Sequence, residues 1–256
     1  MVLKCAVKLR LFDAIHHHGA GDHPISLPEL AASLLVPPNR LSVLRRLMRY
    51  LAESFFEWMA RDPGVSSRFN AGMLCTVGPI IEAVLKGCPE VFQGVNVLVD
   101  VGGGAGVAAA AIARAFSGIR CVVYDLPHVV EEAPKWDAVE YEAGDMFVSV
   151  PHADALLQRR VLHAFDDEKA LRILKLCKEA IFEDKGKLII IDEVINEAEA
   201  KELLHVKLAY DMLLMQYTGG KERTKSEWRS LLLKAGFTRC KITHVMALQH
   251  IIEAHP

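Results

Sequence analysis

Apolar residues make up 52% of this 256-residue chain and charged residues 24%, enough apolar material to bury a sizeable core as one large domain or a domain and a half. A formal charge of −2 gives no general attraction to nucleic acid or to an anionic membrane, no apolar run reaches membrane-spanning length, and the N-terminus lacks a secretory pattern. Six cysteines without a Cys-x-x-Cys pair predict reduced thiols in a cytoplasmic protein, with neither a disulfide frame nor a zinc site.

The chain divides near residue 90. Residues 1–90 read as helices. The first runs from about Leu3 to His16, and His16-His17-His18 are expected on the surface. Ser26, followed by Pro28 and Glu29, caps a second helix that ends near Leu35. Pro37-Pro38 breaks the chain before a third helix from Arg40 to Leu51. Further helices over 55–92 are interrupted by Asp62-Pro63-Gly64 and Gly87-Cys88-Pro89. Arg40, Arg45, Arg46 and Arg49 could belong to a helix-turn-helix that enters a DNA groove. The region lacks a strong basic excess, so they read better as the solvated face of a helix packed through Leu41, Leu44, Leu47 and Met48.

From Val95 onward, over 91–256, strands and helices alternate as a doubly wound parallel sheet requires. The run Leu98-Val99-Asp100-Val101-Gly102-Gly103-Gly104-Ala105-Gly106 is a strand ending in an acid, a loop nearly free of side chains, and the start of an alanine-rich helix. Such a loop lets a ligand approach the backbone and face a helix N-terminus. The spacing is Gly-x-Gly-x-Gly; a dinucleotide fingerprint would require glycine where Val107 stands. A second strand, Cys121-Val122-Val123-Tyr124, ends at Asp125, placed either to accept ribose hydroxyls or to cap the helix that starts at Pro127. A third strand, Ala138 to Ala143, leads to Asp145. Leu156 to Leu162 reads as strand-like, followed by His163 and the acidic helix start Asp166-Asp167-Glu168. Leu188 to Ile191 ends at Asp192. Helices follow from Ala198 to Met215 and from Lys225 to Ala235, then closing strands Cys240–Val245 and Leu248–Glu253.

Val99-Asp100-Val101-Gly102-Gly103-Gly104, Tyr124-Asp125-Leu126-Pro127-His128, Gly144-Asp145-Met146-Phe147, Val161-Leu162-His163 and Gly219-Gly220-Lys221-Glu222-Arg223-Thr224 occur in this order. Together they resemble the plant small-molecule O-methyltransferases that use S-adenosyl-L-methionine, and most of all the branch acting on benzylisoquinoline alkaloids. The resemblance implies a class I methyltransferase α/β fold, Rossmann-like and doubly wound, with a reduced, winged-helix-like N-terminal domain that serves homodimerisation and helps line the substrate pocket. It implies methyl transfer to a phenolic hydroxyl of a plant metabolite, with His163 as general base and Asp192 and Glu222 as its supporting acids. Cofactor contacts carry over as Gly102 to the methionine end, Asp125 and Leu126 to the ribose side, Asp145 and Met146 to the adenine, and Arg159 where the family usually has Lys. No metal, nucleic acid or membrane partner is implied.

Phenol and imidazole differ in reference pKa, about 10 against about 6.5, so proton transfer between them is uphill by roughly 5 kcal/mol. A carboxylate behind the histidine stabilises imidazolium and fixes its tautomer. Taken without the resemblance, His163 could equally be a satisfied structural histidine, Asp192 a strand-end acid on a backbone amide, and Glu222 an exposed charge beside Lys221 and Arg223.

The chain also departs from the family. Ala164-Phe165 stand where Asp-Trp is usual, and Arg160 occupies a position that is typically neutral or aromatic. The chain starts inside what resembles the N-terminal domain. Between Tyr50 and Phe55 it passes directly over a wing and several helices of the family. These departures raise an alternative: a catalytically impaired relative that keeps the cofactor fold and acts as a binding or dimerisation partner. A metal-dependent catechol methyltransferase fits less well, because Asp166-Asp167 sit at a helix start without a clear third ligand.

Overall fold

The structure, a computed structural model, describes residues 26–44, 76–182, 185–196, 198 and 200–256. The expectations for Leu3–His16, for His16-His17-His18, for most of the third helix, for the join between Tyr50 and Phe55 and for the helices over 55–75 lie outside these residues. The chain forms two compact units, Met1–Pro63 and Gly64–Pro256. In the first, helix α1 (Leu27–Ser33) starts where expected: Ser26 and Glu29 form a reciprocal capping box, with the Ser26 amide 2.8 Å from the Glu29 carboxylate.

The second unit begins, in its described part, with helix α2 over 76–87. It continues with β1 (Val97–Val101), α3 (Val107–Ala115), β2 (Arg120–Asp125), α4 (Pro127–Glu132), β3 (Val139–Ala143), β4 (Ala155–Arg159) and α5 (Asp167–Ala180). Then come β5 (Lys187–Ile195), α6 (Lys201–Tyr217), β6 (Arg223–Thr224), α7 (Lys225–Lys234), β7 (Arg239–Met246) and β8 (Gln249–His255). The strand order is β3-β2-β1-β4-β5-β8-β7, with β6 alongside the end of β5. The first five strands are parallel, and β8 enters antiparallel between β5 and β7.

Alternating residues divide the core between the two faces of this sheet. Val99, Val101, Leu156, Leu188 and Ile190 pack with Ile173 and Leu174 of α5 and Trp228 and Leu231 of α7. Leu98, Leu157, Ile189 and Ile191 pack with Ile81 and Val84 of α2 and Ala109 and Ile112 of α3. Burial on both faces is why these strands read as unbroken apolar runs.

Two expectations need correction. The strand-like run to Leu162 stops at Arg159. Arg160 takes a left-handed φ of 53°, Val161 is helical, and Leu162–Ala164 form a 3-10 turn. The ladder also ends there, where the Arg160 amide donates to Ile191 O at 3.0 Å. Asp192, expected at a strand end, lies inside β5. Partners extend that strand: Asp192 pairs with His250 and Glu193 with Gln249 of β8, and Val194 and Ile195 pair with Arg223 and Thr224 of β6.

Candidate active site

The sheet reverses its strand order between β1 and β4, so the loops leaving their carboxyl ends open a crevice, the usual ligand position in such sheets. Gly102 has φ 73°, and a Cβ there would sit 2.9 Å from Val161 Cγ2. Gly104 has φ 56°, and a Cβ there would meet no atom within 4 Å, so that stretch of backbone faces open space. Asp125 holds the loop: its Oδ2 accepts from the Gly104 amide at 2.8 Å and its Oδ1 from the Leu126 amide at 2.7 Å. Helix α4 starts without a side-chain cap, so Asp125 pins the glycine loop and does not cap that helix. Burial pushes its carboxyl up, against the two amides that pull it down. Each oxygen still has a lone pair free to accept a hydroxyl.

Around this loop, Trp136 Nε1 donates to Ala105 O at 2.8 Å, and Asp145 Oδ1 accepts from the Phe147 amide at 2.8 Å, which fixes the turn after β3. Met146 packs against the core while Leu126 is exposed. Asp100, to which sequence reasoning assigned no role, is buried at the end of β1 with Oδ2 unpartnered. Burial pushes its carboxyl up to about 7, with Arg159 pulling it down and Asp125 adding to the rise. Arg159, at the end of β4, also has a buried Nη1 without a partner. An acid one position from the end of an apolar strand that feeds the glycine loop was the signal that could have marked Asp100.

Beyond β4 the structure brings together the three residues singled out for proton transfer. His163 Nδ1 donates to Glu222 Oε1 at 3.1 Å and stands 3.2 Å from Asp192 Oδ1. These three ligating atoms lie within 4.8 Å of one another, and all three residues are buried. Burial of the ring works to lower the His163 pKa, but Asp192 and Glu222 outweigh it and hold it above the ordinary value. Both carboxylates address Nδ1, so Nε2 is the nitrogen left to take a proton. Asp192 Oδ1 also accepts from the Glu193 amide at 3.0 Å, so the strand acid does hold a backbone amide in addition to facing the histidine. Glu222 is only 2% exposed, which overturns the solvated-charge alternative.

The turn that carries His163 is clamped from the neighbouring segment. Buried Arg223 donates from Nη1 to Leu162 O at 3.0 Å, from Nη2 to Phe165 O at 2.9 Å, and from Nε to Asp167 Oδ1 at 2.9 Å. The Lys221 amide donates to His163 O at 2.9 Å, and a Cβ at Gly220 would overlap that same oxygen. Of the acids at the start of α5, Asp166 caps the helix through the Lys169 amide and Asp167 pairs with Arg223.

A doubly wound sheet with a glycine loop at its switch point, and a buried histidine-carboxylate group gathered from the turn after β4, from β5 and from the residue before β6, defines a class I methyltransferase. The chain matches the O-methyltransferase domain over residues 46–238 and the O-methyltransferase dimerisation domain over residues 1–76. It is 33% identical to (RS)-norcoclaurine 6-O-methyltransferase of Thalictrum flavum subsp. glaucum, over 100% of this chain and 93% of the relative. That alignment runs over 327 positions, so the relative carries internal residues with no counterpart among these 256. Trans-resveratrol di-O-methyltransferase of Vitis vinifera is also 33% identical, over 100% of this chain and 92% of the relative. Among solved structures, PigF with SAH has a TM-score of 0.69 at 18% identity, covering 100% of this chain and 95% of that one. This chain belongs to the O-methyltransferase family. Among the described residues no helix is long and apolar enough to cross a membrane.

Proposed function

We propose that this protein transfers the methyl group of S-adenosyl-L-methionine to a phenolic hydroxyl of a plant secondary metabolite, an alkaloid or a phenylpropanoid or flavonoid. The observation that carries the reading is the seating of His163 Nδ1 between Glu222 and Asp192. Bound in the crevice, the cofactor supplies an electrophilic methyl group; the chain's own residues position the reactants and handle the proton.

The residues present fit that cofactor. Gly104 exposes backbone beside Gly102, Asp125 retains acceptor capacity for ribose hydroxyls, and the family resemblance assigns Asp145 and Met146 to the adenine. The buried, unpartnered atoms of Asp100 and Arg159 await polar groups. His163 Nε2 takes the phenol proton as the oxygen attacks, and the two carboxylates stabilise the imidazolium that results. Ala164, where the family has an acid, does not leave the ring unoriented, since two other acids hold it. The alternative of an inactive partner has no observation behind it.

The match to a dimerisation domain supports a homodimer. Six cysteines without a Cys-x-x-Cys pair support the reading of a cytoplasmic location, and a formal charge of −2 supports the reading of no nucleic acid or membrane partner. The benzylisoquinoline phenol of the Thalictrum relative is the first acceptor to assay, together with a flavonoid and phenylpropanoid panel. Calorimetry with S-adenosylhomocysteine should detect binding, and EDTA should leave turnover unchanged. Activity that disappears with EDTA and returns with magnesium would reject the histidine mechanism.

A further inference from the structure

Two carboxylates, Asp192 and Glu222, address the base, and a third, Glu193, follows Asp192 on β5. Asp192 and Glu193 are fully buried and Glu222 nearly so. Buried like charges repel one another and make an adjacent imidazole too basic to begin the cycle neutral. A cation must offset them, and most of those nearby are engaged elsewhere. Arg223 holds Leu162, Phe165 and Asp167; Lys221 pairs with Glu227; Arg159 interacts most strongly with Asp100 and more weakly with Asp192. On α6, Lys207 donates to Val194 O at 2.6 Å, and Asp211 accepts from the Glu222 amide at 2.8 Å.

Arg160 is different. Its side chain is 11% exposed, and its Nη1 stands 3.9 Å from Glu193 Oε1, an oxygen that also accepts from Gln249 Nε2 at 3.4 Å. The guanidinium lies 5.4 Å from the Tyr210 ring, and Nε is buried without a partner. The left-handed backbone that carries Arg160 out of β4 is strained for a non-glycine residue, the kind of outlier that clusters at functional sites.

We infer that Arg160, seated on Glu193, is a charge-balancing positioning residue of the proton-transfer site, acting through His163. The electrostatics agree in sign: Arg160 pulls down the proton affinity of His163, Glu222 and Glu193 together. The carboxylates favour the imidazolium that must form, and Arg160 keeps the ring neutral until it does. The inference rests on the reading of His163 as base only where turnover is the readout.

The test is an NMR titration of the His163 ring in the full-length chain with S-adenosylhomocysteine bound, assigned with His163→Gln and paired with pH-rate profiles. Arg160→Met should move the His163 midpoint up by about one pH unit, Arg160→Lys should restore it, and Glu193→Gln should move it down. The acid limb of the rate profile should follow each shift. Lost packing does not produce opposite shifts from the two halves of one ion pair. An unmoved midpoint in Arg160→Met, or shifts of the same sign in both neutral variants, overturns the inference. Should Arg160→Met fail to fold, Arg160→Gln takes its place, an upward shift supporting the inference and an unmoved midpoint overturning it. Midpoints that shift while the rate profiles do not would support the inference and reject His163 as base.

Discussion

The cofactor half of the crevice, at the ends of β1, β2 and β3, and the proton-transfer half, formed after β4, within β5 and just before β6, are built on opposite principles. In the first, backbone does most of the shaping. Glycines bare the loop, and Asp125 and Asp145 accept from amides close by. In the second, side chains do it. His163, Asp192 and Glu222 arrive from three separate segments, and Asp192 Oδ2, Glu193 Oε2 and Glu222 Oε2 remain buried and unpartnered. A backbone-shaped surface should lose binding in modest steps when side chains change. A charge-shaped one should respond through rate and pH.

The largest effect should separate the halves. His163→Ala should lower turnover roughly 10²–10⁴-fold while S-adenosylhomocysteine affinity, read by calorimetry, stays nearly constant. A matching loss of affinity would mean that the halves are one unit. Within the proton-transfer half, Glu222→Gln removes one of the two influences that raise the His163 pKa. The acid limb of its pH-rate profile should move to lower pH as the maximal rate falls.

On the cofactor side, Asp125→Ala should weaken S-adenosylhomocysteine binding by about 1.5–3 kcal/mol, with saturated turnover changed much less. Asp125→Asn, which keeps one acceptor oxygen, should fall between. Equal affinity in wild type and Asp125→Ala would remove this residue from the site.

Both halves hold a carboxyl raised to about 7, Asp100 in one and Glu193 in the other. Between about pH 4 and 7 the folded protein then binds more protons than the unfolded chain, so these groups favour the fold at low pH and lose that contribution as pH rises through 7. Asp100→Asn and Glu193→Gln should each flatten the fall in Tm over this window, by a few degrees at neutral pH. A calorimetric scan series in which both variants track wild type would show that these groups titrate normally.

The smallest effect concerns Gln158, which is fully buried on β4 with both amide atoms unpartnered. Gln158→Met should stabilise the apo protein by about 1 kcal/mol, measured by urea unfolding. Destabilisation instead would point to a bound water or ligand at that amide.

The glycine loop and its acids were legible because their signals are short-range. Val101 to Gly106 is a contiguous run, Asp125 closes the buried strand β2, and Asp145 follows β3 by two residues. The cap at Ser26 was equally local, completed by a glutamate three residues on; the matching box of Thr224 and Glu227 carries the same local signal and was not named from the sequence. His163 was harder. Its setting depends on an arginine in another segment gripping carbonyls on either side of it, and no spacing within Leu156–Glu168 records that grip.

Local sequence therefore determined the strand-helix alternation, the helix starts and the bare loop, because backbone conformation answers to glycine, proline and capping side chains within a few residues. The resemblance of separate motifs pointed to the histidine and its acids. Only the tertiary structure decided that β4 stops at Arg159, that β5 runs on through Asp192, that Glu222 is buried, and that Arg160 meets Glu193. Those outcomes rest on pairing with β6 and β8 and on the field of charges brought from distant segments, and a low-dielectric interior makes such long-range terms large where the linear chain shows none of them.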